Sequence, residues 1–450
     1  MAKVTTTYVC SECGTQSPVQ MGKCPRCGAW GSMEPKLERP TPTSAGKVRS
    51  ALYSAAVQRL ADVESTDALR ATSGLDEVDR VLGGGWVAGA VLLLAGEPGI
   101  GKSTLLLQLS HASVVRAQDT LYVAGEESLA QVKLRAERLG VDPALQLTRE
   151  TDARVLAEHL RTAKPRLVIV DSIQTLLADD SGTPGSLSQV RDATALLTQA
   201  AKEAQSTLVL IGHVTKQGSI AGPKVIEHMV DATLALESAS GFRVLRALKN
   251  RFGPAGEMGV FEMTHDGMTP VANPSEAFLA ERPLGVPGSA VVAALEGQRP
   301  LLLEVQALAA KSPYASPRRI VQGLDQRRVD VVLAVLERRL ELPLAGLDIY
   351  VNVAGGLRLT DPGTDLAVAL AVYSAVTNRT VPEGTAVVGE VGLAGELRSV
   401  SQLVRRVSEA SKANFPRFIG PPSYDVGTNE RSGVVGVDSL AAALKAAWEA

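Results

Sequence analysis

The segment Gly96-Glu97-Pro98-Gly99-Ile100-Gly101-Lys102-Ser103 matches G-x-x-x-x-G-K-[ST] in full. Its glycines let consecutive backbone N–H groups curl around a phosphate, and a helix starting there adds its positive dipole end. Lys102 is the candidate for the β- and γ-phosphates of ATP, and the Ser103 hydroxyl for a Mg²⁺ ligand; Thr104 completes the nucleotide-binding stretch. Two further runs end in acid. Arg166-Leu-Val-Ile-Val-Asp171 delivers a carboxylate suited to holding Mg²⁺ through water. Leu121-Tyr-Val-Ala-Gly125-Glu126-Glu127 delivers one suited to orienting an attacking water, with Glu126 the first choice and Glu127 the alternative. A fourth run, Thr207 to Gly212, ends in His213, which is either a sensor of the phosphate state or a structural histidine.

All four cysteines lie in two C-x-x-C pairs, Cys10-Ser-Glu-Cys13 and Cys24-Pro-Arg-Cys27, ten residues apart. That spacing suits one tetrahedral, structural Zn²⁺ with no open position. Two disulfides are the competing reading, which a reducing cytosol disfavours. The first fifty residues carry seven Lys/Arg against three Asp/Glu. Such a surface suits nucleic acid, another protein, or plain solvent.

These side chains need a sheet behind them. Ala90 to Ala95 is an apolar run of strand length, and Thr104 to Arg116 has apolar residues at helical spacing. The phosphate loop therefore joins a buried strand to a helix. Strands and helices alternate from 90 to 240, which predicts an α/β fold with a mostly parallel sheet covered on both faces. The polar, proline-containing stretch from Pro35 to about Ala71 reads as a linker with a short helix near Ala51 to Leu60. The expected organisation is a zinc ribbon (1–34), a linker (35–71), an ATPase core (72–270) and a second α/β domain (285–450). In that last domain Gln326 to Leu340 reads as an amphipathic helix and Leu366 to Val376 as a buried one; Gly389 to Arg398 reads as a hairpin and Leu440 to Trp448 as a closing helix.

The 450 residues carry a formal net charge of −2, so any nucleic-acid contact must rest on local charge. Aromatic residues are only 4%, which argues against broad base-stacking platforms. No apolar run approaches the ~18 residues of a membrane helix. The N-terminus lacks a signal-peptide pattern, so a cytoplasmic protein with no membrane partner is expected.

The loop, the two acid-ended strands and the lead-in Thr72 to Gly85 together resemble the RecA-type ATPases. The more specific resemblance is to the bacterial RadA (Sms) DNA-repair family. It rests on the four-cysteine ribbon, the GEPGIGKS loop and the pentapeptide Lys249-Asn250-Arg251-Phe252-Gly253, in that order. A C-terminal domain similar to the Lon protease domain completes it.

The resemblance implies a hexameric, DNA-stimulated ATPase that acts on recombination intermediates. It would branch-migrate them by helicase-like translocation on single-stranded DNA. Single-stranded and branched DNA and the recombinase RecA are the implied partners. Lys249 and Arg251 would act on a neighbour's γ-phosphate or grip DNA. Lys216 and Lys224, in the loop after His213, would line a central channel and contact the DNA backbone.

In the Lon-like region the expected nucleophile position falls at Gly363 and the expected lysine at Val404, so the domain reads as non-catalytic. Lys311 to Arg339 holds seven Lys/Arg against three Asp/Glu, either a second surface for duplex DNA or solvated helix faces. The competing function is a signalling or assembly ATPase of the same fold, acting on a protein partner without translocation.

Overall fold

The computed structural model describes residues 5–17, 19–38, 70–180, 183–213, 224–314, 316–422 and 433–449. The helix expected near Ala51 to Leu60 and Lys216 lie outside them, as do the side chains of His213 and Lys224. Among the described residues, no helix is long and apolar enough to cross a membrane.

The N-terminal ribbon is a three-stranded antiparallel sheet in which Thr5–Cys10 pairs with Gln16–Ser17 and with Met33–Glu38. Two matching knuckles follow each other. Gly14 N–H donates to Cys10 O at 2.9 Å, and Gly28 N–H to Cys24 O at 3.0 Å.

The central sheet has nine strands. Six are parallel, in the order Ala232–Ala239, Val91–Gly96, Thr207–His213, Leu167–Asp171, Thr120–Ala124 and Gln146–Thr148. Alternate residues of Val91–Gly96 feed two cores, as a period-two strand must. Leu92 and Leu94 pack with Leu105, Leu106 and Leu109 of the Lys102–Val115 helix. Val91 and Leu93 pack with Leu156 and Leu160 of Ala153–Ala163 and with Leu197 of Leu187–Ala204. Burial on both faces accounts for the unbroken apolar run.

Beyond the parallel part, Phe242–Asn250, Met258–Thr264 and Gly267–Pro270 extend the sheet antiparallel. Sequence alternation between 90 and 240 did not announce this three-stranded wing, because its pairing is decided by contacts past that range.

The C-terminal sheet runs Arg319–Gln322, Leu347–Val353, Arg299–Lys311, Ser289–Glu296, Thr385–Val387, Arg417–Gly420, Val434–Gly436. The helices Gln326–Arg339, Asp365–Thr377 and Leu440–Trp448 share one core with one of its faces. Leu403–Lys412 packs on the other. The Asp365–Thr377 helix is apolar all round because it is enclosed, with Leu366 and Leu370 fully buried.

Two cations of the expected basic patch are committed to structure, while Lys311, Arg318, Arg327, Arg338 and Arg339 are exposed. Arg328 binds Asp365 at 2.7 Å, and Arg319 donates to the carbonyls of Leu344 and Leu347.

The two sheets belong to one compact unit. Glu77 of the Asp76–Leu82 helix accepts from Arg299 at 2.5 Å and from Val260 N–H at 2.9 Å. Arg246 of the wing pairs with the buried Glu296. Between these pairs the backbones touch: a Cβ on Gly297 would lie 2.6 Å from the Gly256 carbonyl carbon.

Candidate functional site

The loop after Val91–Gly96 ends at Gly101, whose φ of 114° lies in the left-handed region. A Cβ there would also sit 2.4 Å from Met268 Cε and 2.6 Å from Met263 Cε, the flexible ends of two wing side chains, so it is the backbone conformation that requires glycine. The Lys102–Val115 helix then starts with no side-chain cap and no acid in its first turn. Its first N–H groups remain available to an anion. The Leu129–Arg138 helix, by contrast, is capped by the Ser128–Gln131 capping box, and Ala153–Ala163 by Asp152.

Lys102 is buried and its Nζ donates to Gly96 O at 2.8 Å and Glu97 O at 3.0 Å. Burial lowers its pKa, while Asp171 and Glu126 pull it back up. Both acids are therefore electrostatic neighbours of the ammonium. Asp171 closes its strand at the C-terminal edge, where open α/β sheets bind ligands. Glu126 accepts a short hydrogen bond from Ser172. Glu127 turns away and accepts from Arg135 at 2.7 Å. The structure thus brings together Lys102, Ser103, Asp171 and Glu126 and gives Glu127 a separate partner.

Ser103 and Asp171 offer a hydroxyl and a carboxylate from two neighbouring element ends. This oxygen set fits Mg²⁺, which binds through one or two protein oxygens together with substrate phosphates and water. Sequence reasoning missed Tyr122, whose hydroxyl donates to Asp171 Oδ2 at 2.6 Å. Burial and Asp171 hold that phenol protonated, well above its usual range. It also missed Arg243, which donates to Ile100 O at 3.1 Å and props the loop from the wing. A polar tip within a mostly apolar strand is the signal that could have pointed to Tyr122; Arg243 carried none.

Lys249 and Arg251 lie elsewhere. Asn250 is paired with Ala232, and Ala232 with Leu92, so the pentapeptide sits at the N-terminal edge of the parallel strands. Gly96 lies four residues further along, roughly 13 Å at ~3.3 Å per residue. Lys249 Nζ donates to Glu227 O at 2.6 Å and Val230 O at 2.7 Å. Its pKa is lowered by burial and then by Arg251. Arg251 binds Asp231 at 3.2 Å and stays half exposed. Asn250 is structural: its amide donates to Leu82 O at 3.2 Å and its carbonyl accepts Phe252 N–H at 2.9 Å.

In the ribbon, all four Sγ atoms lie within 4.8 Å of one another. Cys10–Cys27 is 3.6 Å and Cys13–Cys24 is 3.5 Å, close to the ~3.8 Å edge of a tetrahedron with ~2.3 Å Zn–S bonds. Both distances join sulfurs of different knuckles and exceed any disulfide. The Ser32 hydroxyl lowers the Cys10 thiol to about 6, and Thr15 lowers Cys13. The Ala29 backbone lowers Cys27, but burial and the other three thiols push it up to about 12. Four thiolates this close need a cation, and the set fits Zn²⁺.

Three family models match the chain: an AAA domain over residues 57–219, a rubredoxin metal binding domain over 8–35, and subunit ChlI of Mg-chelatase over 321–423. The DNA repair protein RadA of Bacillus subtilis is 44% identical over 457 residues, covering 99% of each chain. The chain belongs to the RadA family. The RadA of Halalkalibacterium halodurans is 46% identical over 94% of this chain and 93% of its own. The RadA of Listeria monocytogenes is 42% identical over 99% of both. As a RadA-family protein with an AAA domain, the chain is an ATP-hydrolysing enzyme. Its RadA architecture unites a four-cysteine ribbon, a RecA-like core and a Lon-like α/β domain.

Proposed function

We propose that this DNA-repair ATPase is DNA-dependent and processes recombination intermediates by helicase-like movement on single-stranded DNA. The observation that carries the reading is the split site. Lys102, Ser103, Asp171 and Glu126 converge at one edge of the sheet, while Lys249 and Arg251 face out from the other. No chain can bring its own pentapeptide to its own nucleotide across that sheet. In a ring the same cations reach the γ-phosphate of the next subunit and offset transition-state charge.

In this reading the loop amides and Lys102 hold the phosphates. Ser103 and Asp171 would hold Mg²⁺, which would supply charge neutralisation to the phosphates. Glu126, aimed by Ser172, accepts the proton of the attacking water. Lys216 and Lys224 contact the DNA backbone. Lys249 is tied to the carbonyl end of the helix Lys224–Met229, so a shift of that helix on DNA binding moves Lys249 as well.

A hexameric ring, a cytoplasmic site and contact with the recombinase RecA belong to the same proposal, with an ATPase core at 72–270 and a second α/β domain at 285–450; the strand Met33–Glu38 carries the ribbon past the expected limit at 34 and into the expected linker 35–71. The Lon-like domain acts as a scaffold. A Cβ on Gly363 would lie 2.7 Å from Val388 Cγ2, and the Thr364 hydroxyl is engaged with Asp361 O at 2.8 Å. Both observations support the absence of a protease nucleophile.

The test is ATP turnover of the full chain with and without single-stranded DNA, with Lys102→Ala as control. Stimulation that vanishes in the control supports the proposal. Turnover indifferent to every DNA offered rejects it in favour of a protein-directed ATPase.

A further inference from the structure

Tyr122 occupies the middle of Thr120–Ala124, an otherwise apolar strand, and is 1% exposed. Its ring lies in the core that carries the Lys102–Val115 helix, so the hydroxyl emerges between that helix and the Leu167–Asp171 strand. There it donates to Asp171 Oδ2 at 2.6 Å. Phenylalanine would fill the volume equally well. A buried hydroxyl needs a partner, and this one has the carboxylate at the strand edge.

We propose that Tyr122 is a positioning residue that fixes the orientation of the Asp171 carboxylate at the magnesium site. The inference rests on the reading that Ser103 and Asp171 hold the cation. With Oδ2 occupied by the phenol, Asp171 presents Oδ1 outward in a fixed orientation. A carboxylate without that restraint is free to rotate about its Cβ–Cγ bond, or to swing toward Lys102, whose ammonium it already attracts. The expected penalty is in metal capture and not in phosphate binding, because the loop amides and Lys102 are untouched.

The experiment measures binding of a fluorescent ATP analogue to the full chain in EDTA and across a Mg²⁺ titration. It compares wild type, Tyr122→Phe and Asp171→Asn. Tyr122→Phe is expected to keep the EDTA affinity and the thermal transition. Its Mg²⁺ midpoint should rise about tenfold, the effect of one hydrogen bond to a charged group. A midpoint within about twofold of wild type overturns the inference, as does an equal loss of affinity in EDTA, which marks a packing role. Should Tyr122→Phe fail to fold, 3-fluorotyrosine at 122 replaces it. Its ¹⁹F resonance should move when Mg²⁺ joins the nucleotide complex and stay put with nucleotide alone; no Mg²⁺-dependent shift overturns the inference. If wild type itself binds nucleotide without regard to Mg²⁺, the underlying assignment of Ser103 and Asp171 fails, a result distinct from an insensitive Tyr122→Phe.

Discussion

Lys102 and Lys249 lie at opposite edges of one sheet, Lys102 tied to the Gly96 and Glu97 carbonyls and Lys249 to those of Glu227 and Val230. Their separation along the strands turns a question about one chain into a question about two. In the proposed ring, the cation that completes the nucleotide site arrives from a neighbour.

Complementation by subunit mixing follows from that geometry. Lys102→Ala and Arg251→Ala each lose roughly 10²-fold or more in turnover, as removal of phosphate-binding or finger cations does. Mixed, they form interfaces that pair an intact loop with an intact Arg251. Turnover of the mixture is expected to exceed the sum of the separate proteins, measured by steady-state phosphate release across mixing ratios. No gain at any ratio removes the intersubunit role.

The two adjacent glutamates should separate cleanly. Glu126→Gln is expected to retain ATP binding and lose about 10²–10⁴ in hydrolysis, the range for a general base. Glu127→Gln breaks only the partly exposed pair with Arg135. It should cost about 1 kcal/mol of stability or less and leave most turnover in place. Single-turnover hydrolysis at saturating ATP distinguishes them.

The ribbon should carry one zinc per chain. Zinc binding displaces thiol protons, and the Cys27 thiol resists ionisation most, so retention falls as pH falls. A chromogenic chelator should extract zinc faster at about pH 5 than at about pH 8. Cys13→Ser should lower the zinc content. Unchanged metal content in that variant would exclude Cys13 as a ligand.

Arg406 and Asp361 form a buried ion pair in the C-terminal domain, and Arg406 also donates to Ala293 O at 2.7 Å. Arg406→Met strands the carboxylate of Asp361 and should destabilise that domain by about 3–5 kcal/mol. The double variant Arg406→Met/Asp361→Asn should recover part of the loss. Thermal unfolding of the three proteins tests both statements.

Local chemistry was the readable part. The phosphate loop, the cysteine knuckles and the acid-ended strands are contiguous in sequence, and each sits as its pattern requires. The Gln326–Arg339, Asp365–Thr377 and Leu440–Trp448 helices follow their apolar spacing within a residue or two. What escaped is built from distant pairs. Tyr122 meets Asp171 only because two parallel strands are adjacent. Arg243 meets Ile100 only because the wing folds back over the loop. Arg406 reaches Asp361 across a sheet, and its charge in the sequence resembled any surface arginine. Periodicity carries no information about such partners.

The seam of Glu77–Arg299, Arg246–Glu296 and the touching Gly256 and Gly297 has a mechanical meaning. Glu77 lies within the lead-in to the phosphate loop, and Arg246 lies midway along the strand that joins Arg243, bonded to the loop at Ile100, to Lys249. A tilt of that strand during the nucleotide cycle has no slack joint in which to dissipate. Any displacement of that strand would therefore be carried into the C-terminal sheet rather than absorbed between the two sheets.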